Sequence, residues 1–332
     1  MFFSKGSLKL RWYKIYDALV EGKYDDAIDL LKEEFSGKEI PEEFYFLMGK
    51  LLNKNGEFEN SLQINQNLLA SSKSKEEQYI FKKEIATSLL GLGRLESAKD
   101  LMLDILSSKD DIKLMEKVAE IYYKSGEYDF AAETYKRLNQ YDMVAACYYR
   151  KAIKFNIKDG EFADLLQKGL KYNRSFRTAR FELANHYFTL SKNGKGLDYL
   201  IEILYNELPF SLEDIYTIKD KFVLYSSVID FEKIINKKIN EGVTNPFYHI
   251  YLAEESYLNG NLNAAKDIIA RYLSQHFSKN AIKFYLKYIA DDLLSSLYAE
   301  EHLYQCTFCK TTYKTFIPVC PSCEHVDSLK AL

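Results

Sequence analysis

Large and small apolar residues alternate along the chain in a fixed order. A large residue precedes a small one, and a second large residue follows three positions after the small one: Met48-Gly49 with Leu52, Ile85-Ala86 with Leu89, Val118-Ala119 with Tyr122, and Leu183-Ala184 with Tyr187, with Leu252-Ala253 and Ser256 as a polar variant. Polar residues fill the gaps. That spacing puts the three on one face of a helix, with the small residue where a neighbouring helix can cross closely. A second pattern follows downstream: Gly, any residue, an aromatic or Leu, two residues, then Ala or Ser. It reads Gly22, Tyr24, Ala27; Gly56, Phe58, Ser61; Gly93, Leu95, Ala98; Gly126, Tyr128, Ala131; and Gly260, Leu262, Ala265. The two patterns together predict a helical hairpin. Glycine ends the first helix in the left-handed conformation, the aromatic packs over the turn, and the small residue lets the second helix approach the first.

The first four of these glycines are 34, 37 and 33 residues apart, the period of a tetratricopeptide repeat. The resemblance to that family covers about 270 residues. Between Gly126 and Gly260 the turn signature weakens. Met143 to Asn173 reads as a degenerate repeat, Arg177 to Pro209 as a clearer one, and Ser211 to Gly242 as one without its glycine. Gly91-Leu92-Gly93 and Gly194-Lys195-Gly196 read as inter-helix turns. A last helix over Asn280 to Ala299 is expected to cap the array, because a terminal repeat needs a cover. The fold class expected is all-α: a right-handed superhelical solenoid of about eight tetratricopeptide hairpins over residues 1–298, followed by a small β module over residues 299–332.

Composition agrees with helix. Five prolines and 14 glycines in 332 residues are too few for a β-sandwich with a turn every ten residues. Forty-five basic against 48 acidic residues give a net charge of −3, so bulk charge points neither to nucleic acid nor to an anionic membrane. Locally the picture differs. From Lys136 to Arg180 there are eleven Lys and Arg against four acids, a balance of +7, interleaved with Tyr148, Tyr149, Phe155, Tyr172 and Phe176. Arg150, Lys151, Lys154, Lys171, Arg174, Arg177 and Arg180 are the candidate partner-binding residues of this stretch. Acidic protein segments, anionic lipid headgroups and single-stranded RNA are the ligand classes it fits, beside its reading as a solvated helix face.

Four of the five cysteines fall in the last 27 positions: Cys306, Cys309, Cys320 and Cys323. Two C-x-x-C pairs ten residues apart let two tight turns present four sulfurs to one ion, a tetrahedral site for zinc or iron. A redox pair would be expected in a thioredoxin-like βαβ unit, and none precedes either motif. The stretch Lys310 to Val319 has the Thr, Tyr, Phe and Ile content of a β-hairpin. A 34-residue tail is too short for a core of its own, so the ion would supply its folding energy. His302 and His325 lie nearby as flanking residues, and Cys147 reads as a small core residue. No H-E-x-x-H, G-x-S-x-G or Walker A motif occurs, and His186, His249 and His276 stand apart in sequence, so neither an enzyme nor a small-molecule substrate is expected. Met1 to Gly6 leads into no apolar signal region. Leu8 to Val20 is cut by Lys9, Arg11, Lys14 and Asp17 and reads as an amphipathic first repeat helix with Trp12, so a cytoplasmic protein without a membrane span is expected.

The repeats joined to this tail resemble the lipopolysaccharide assembly protein B family, which combines tetratricopeptide repeats with a rubredoxin-type C-terminal domain. The strongest match is Leu303-Tyr304-Gln305-Cys306-Thr307-Phe308-Cys309 with Cys320-Pro321-Ser322-Cys323, and Leu165 to Leu170 and Arg177 to Ala184 also match. The resemblance implies a cytoplasmic adaptor, peripheral at the inner face of the inner membrane, that links the deacetylase committing lipid A synthesis to a membrane AAA protease. It further implies that the metal domain packs on the repeats with Cys306, Cys309, Cys320 and Cys323 as ligands. Two features depart from the family: Leu8 to Val20 replaces a membrane helix, and Lys310 and Glu324 stand where rubredoxin knuckles often have glycine.

Overall fold

The computed structural model describes residues 14, 15, 17, 18, 21–34, 42–208, 211–288, 304–313, 320–323, 326 and 329–331. Among them the helices are α1 (Tyr24–Glu34), α2 (Glu42–Asn55), α3 (Phe58–Ser71), α4 (Lys75–Gly91), α5 (Leu95–Ser108), α6 (Ile112–Ser125), α7 (Tyr128–Arg137), α8 (Tyr141–Ala152), α9 (Gly160–Tyr172), α10 (Arg177–Thr189), α11 (Asn193–Tyr205), α12 (Leu212–Tyr225), α13 (Val228–Asn240), α14 (Pro246–Leu258), α15 (Leu262–Gln275) and α16 (Lys279–Tyr288). Three short strands follow: β1 (Tyr304–Cys306), β2 (Thr312–Tyr313) and β3 (Leu329–Ala331). The chain packs as two compact units, Met1–Leu138 and Asn139–Leu332. The architecture is an all-α series of tetratricopeptide-type hairpins with a small cysteine-bearing β module at its C-terminal end.

In the first unit the hairpins are α2/α3, α4/α5 and α6/α7, and α1 follows helical residues at 14, 15, 17 and 18. The turn after α6 shows how the repeated glycine works. Gly126 has φ +81°, its N–H bonds Tyr123 O at 3.2 Å, and the N–H of Glu127 reaches back to Tyr122 O at 2.9 Å. These two bonds close the helix end, and they require a backbone that costs a residue with Cβ roughly 1–2 kcal/mol. The small residues after the turns, Ala27, Ser61, Ala98 and Ala131, are fully buried at the helix crossings. Ala86, Met102, Ile105, Leu114 and Val118 form part of the core of α4–α6.

The second unit contains α8/α9, α10/α11, α12/α13 and α14/α15. The α10/α11 turn corrects one expectation. Gly194-Lys195-Gly196 is not the turn; it lies in the opening turns of α11. The turn glycine is replaced by Ser191 at φ +58°, whose neighbour Lys192 donates to Tyr187 O at 2.8 Å. Gly196 instead takes the place of the small crossing residue: a Cβ there would come within 2.6 Å of the Phe188 ring. The glycine has moved five residues along the same motif, which is why its spacing looked degraded. Leu200, Ile203, Leu204, Ile215, Ile218, Phe222, Phe231, Ile235, Tyr248 and Tyr251 build the core across α11–α14, and the Tyr248 hydroxyl donates to Leu204 O at 2.5 Å.

The capping helix is present as α16 through Tyr288. Residues 289–299, Pro209 and most of Leu8 to Val20, Trp12 included, lie outside the described residues. Of the hairpin expected within Lys310 to Val319, Thr312–Tyr313 forms β2, and residues 314–319 lie outside the described residues. β1 pairs antiparallel with β2, Tyr304 opposite Tyr313, so these two strands enclose the first C-x-x-C. β3 pairs antiparallel with the other edge of β1, Cys306 opposite Leu329, giving the order β2-β1-β3.

Candidate metal centre

Cys306 ends β1, and the chain turns at once. Lys310 N–H bonds Cys306 O at 3.0 Å and Cys306 N–H bonds Thr311 O at 2.9 Å, folding Thr307 to Lys310 into a tight knuckle. Lys310 adopts φ +62°. This left-handed position is the one for which glycine is favoured, so Lys310 keeps the knuckle geometry at a cost in backbone energy. Its ammonium donates to Thr307 O at 2.8 Å, across the same turn.

The four sulfurs converge. Cys306 Sγ lies 3.5 Å from Cys323 Sγ, Cys309 Sγ lies 3.6 Å from Cys320 Sγ, and all four are within 4.8 Å of one another. A tetrahedral ion with metal–sulfur bonds of about 2.3 Å needs sulfur–sulfur edges of about 3.8 Å. Four cysteines so placed can hold one metal ion. Cys306 and Cys320 are buried, Cys323 is half-buried and Cys309 faces solvent. The Thr311 side chain and backbone hold the Cys309 thiol down at about 6, so it is largely thiolate at neutral pH. Tyr313 packs against Cys306 and Cys320, and its hydroxyl lies 3.2 Å from Cys320 Sγ and 2.7 Å from Ser322 Oγ. That contact with Cys320 pushes the phenol's pKa above its ordinary value.

The module is seated on helices. Val326, three residues beyond Cys323, packs against the cluster of Ala145, Tyr149, Leu166, Ala179 and Leu183 from α8, α9 and α10. Sequence reasoning passed over Val326, Thr311 and Tyr313. An isolated valine carries no pattern, and the other two were legible only as strand-forming residues. His302, His325 and Glu324 lie outside the described residues.

The structure divides the basic stretch. Lys154, Lys171 and Arg174 are exposed, and Arg150 and Lys151 are half-buried. Arg177 and Arg180 are 3% and 7% exposed and point inward. Arg177 Nη1 meets Asp214 Oδ1 at 2.5 Å and Arg180 Nε meets Glu202 Oε2 at 3.0 Å. Both acids lie outside the stretch in sequence, so counting charges along the chain could not reveal the pairing. Nine cations against four acids remain outside these two pairs. Cys147 is fully buried in α8. His186 is buried with a ring nitrogen against Ile157 O. His249 and His276, far apart in sequence, lie against the same Tyr272 ring at 4.5 and 5.1 Å. Burial lowers the pKa of His249. Among the described residues, no helix is long and apolar enough to cross a membrane.

No protein-family model matches the chain, and no curated protein matches it in sequence. Solved structures similar to it include a tetratricopeptide repeat protein from Parabacteroides merdae, 14% identical over 78% of this chain and 99% of that one, with a TM-score of 0.35. Another is the C-terminal part of a TPR repeat-containing protein from Cytophaga hutchinsonii, 17% identical over 72% and 98% of the two chains, TM-score 0.36. A chain of the Naa15/Naa10 complex bound to HypK is 15% identical over 81% of this chain and 49% of that one, TM-score 0.43. Identities and TM-scores at that level are too low to carry a partner or an activity across.

Proposed function

We propose that the chain is a non-enzymatic scaffold: residues 1–298 form a repeat array that binds segments of partner proteins, and residues 299–332 form a module folded around one zinc or iron ion. Its ligands are Cys306, Cys309, Cys320 and Cys323. The observation that carries this reading is the convergence of four sulfurs from two knuckles within 4.8 Å at the end of a series of helical hairpins. Four thiolates fill a tetrahedral shell, so the ion has no open position for water and acts structurally. When bound, it supplies folding energy by joining two turns of a tail that has little core of its own. The chain's own contribution is the Lys310 turn, which shapes the first knuckle, and the Val326 contact, which seats the module on α8–α10.

The resemblance of the cysteine tail to the lipopolysaccharide assembly protein B family supplies the partners in this proposal: the deacetylase that commits lipid A synthesis and a membrane AAA protease. The scaffold would then work in the cytoplasm, peripheral to the inner membrane. Crosslinking and mass spectrometry of the tagged chain in its own cell tests this, and no enrichment of either partner over a bead control refutes it. The ligand set is tested separately. Cys306→Ser with Cys320→Ser should abolish metal content by elemental analysis, and unchanged content refutes the assignment. A visible iron–thiolate band in the purified chain identifies iron, and zinc is colourless. The alternative of an RNA-associated repeat protein draws on the same basic stretch, but Arg177 and Arg180 are engaged inside the fold. Affinity for single-stranded RNA that is insensitive to salt between ~50 and ~200 mM would eliminate it.

A further inference from the structure

Two of the four sulfurs, one from each knuckle, sit beside a hydroxyl, and both hydroxyls come from the same short segment. Thr311 Oγ1 is 3.2 Å from Cys309 Sγ, and Tyr313 Oη is 3.2 Å from Cys320 Sγ. The phenol is itself held in place. It accepts the Ser322 N–H at 3.2 Å and donates to the Ser322 hydroxyl at 2.7 Å, so a residue of β2 reaches across to the second knuckle. β2 in turn is paired to β1, which carries the first knuckle.

We propose that Thr311 and Tyr313 are positioning residues for the ion, an inference that rests on the metal reading above. Once the sulfurs are metal-bound thiolates they can only accept. The Thr311 hydroxyl, which accepts from the Cys309 thiol, and the Tyr313 hydroxyl, which donates to Ser322, then each turn a proton to the ligand sulfur beside them, drawing off part of its negative charge and fixing its direction. A tetrathiolate site around a divalent ion carries a net charge of −2, and donors to the sulfurs are a means the protein has to stabilise it. Tyr313 has a second effect. By binding Ser322 and Cys320 from the first hairpin, it registers the second knuckle against the first before an ion arrives, so less ordering remains for the binding step.

The test is a cobalt(II) titration of the full chain, followed by competition with zinc(II) and a chromophoric chelator, for the natural sequence, Tyr313→Phe, Thr311→Val and Thr311→Ser. Tyr313→Phe keeps the ring against Cys306 and Cys320 and removes only the hydroxyl. It should weaken zinc by about 10-fold or more, the range seen when an outer hydrogen bond to a ligand is lost. It should also move the sulfur-to-cobalt charge-transfer band to lower energy, because a sulfur without a donor holds its electrons less tightly. Thr311→Val should shift the band in the same direction, and Thr311→Ser should restore it. A change in packing alone would not move the band and be rescued by serine. Unchanged affinity and band position in both Tyr313→Phe and Thr311→Val overturns the proposal while leaving the metal site standing. A natural chain that shows no thiolate-to-cobalt band at all removes the metal reading itself, and this inference with it.

Discussion

Asp214→Ala should be among the most damaging single changes to the second unit, although Asp214 looks in sequence like an ordinary first-turn acid. Its carboxylate meets Arg177, whose side chain is 3% exposed, at 2.5 Å, and the other oxygen accepts the Ser211 N–H at 3.1 Å in a capping box at the start of α12. Removing the acid leaves a buried guanidinium without its counter-charge, which costs about 3–5 kcal/mol. Loss of the reciprocal capping-box bond from the Ser211 N–H adds about 1 kcal/mol, while the Ser211 hydroxyl still caps the helix. At roughly 2–4 °C per kcal/mol for a unit of this size, the midpoint should fall by about 8–24 °C. Asp214→Asn separates the two contributions, since the amide can still accept from Ser211 but carries no charge; it should retain about three quarters of the loss. Arg177→Met combined with Asp214→Asn removes the stranded charge and should recover to within ~1.5 kcal/mol of the natural chain. Urea and thermal denaturation followed by circular dichroism at 222 nm measure all three. If Asp214→Ala and Asp214→Asn both stay within ~1 kcal/mol of the natural chain, Arg177 is not buried against Asp214 in solution, and its place among the partner-facing cations is reopened.

Gly196→Ala should destabilise α10/α11 despite its helical backbone: the new Cβ would sit 2.6 Å from the Phe188 ring, and overpacking of about 1–3 kcal/mol outweighs about 1 kcal/mol of gained helix propensity. Its urea midpoint should drop, and Phe188→Leu in the same chain should relieve part of the loss; a raised midpoint refutes the crossing contact. Val326→Asp should free the cysteine module from α8–α10 without removing a ligand, so trypsin should cut the tail faster while metal content stays unchanged. Equal cutting rates would mean that Val326 does not seat the module. Burial alone would raise the Asp111 carboxyl, yet Lys83 at 2.6 Å, the Tyr79 hydroxyl at 2.6 Å and the Leu114 N–H together hold it well below the usual carboxylate range. Its contribution to the first unit is therefore complete above its unfolded value near pH ~4 and is lost as pH falls from there towards the folded value. Urea midpoints between pH ~6 and ~2.5 should fall more steeply for the natural chain than for Asp111→Asn, and parallel curves would refute the linkage.

Local chemistry decided much of this molecule in advance. The Gly-aromatic-Ala motif requires only a left-handed turn and a close helix crossing, both set by residues within six positions, so α2 to α7 and α14/α15 were legible from spacing. The same holds for the cysteine pairs, since a tight turn with two sulfurs is a local object. What tertiary structure alone decided are matters of which distant residue arrives where. Gly196 became a crossing residue and Ser191 the turn, because what the hairpin needs is a small side chain at one point and a positive φ at another, and either can be met by more than one residue. Arg177 and Arg180 left the basic stretch for the interior because Asp214 and Glu202 reach them from α12 and α11. The hydroxyls of Thr311 and Tyr313 meet Cys309 and Cys320 because β2 pairs with β1 across the first knuckle. Periodicity records only which neighbours share a helix face. Charge pairing and contacts to the sulfurs depend on chain segments that meet only after packing, and these set which cations remain on the surface and how the cysteine site is braced.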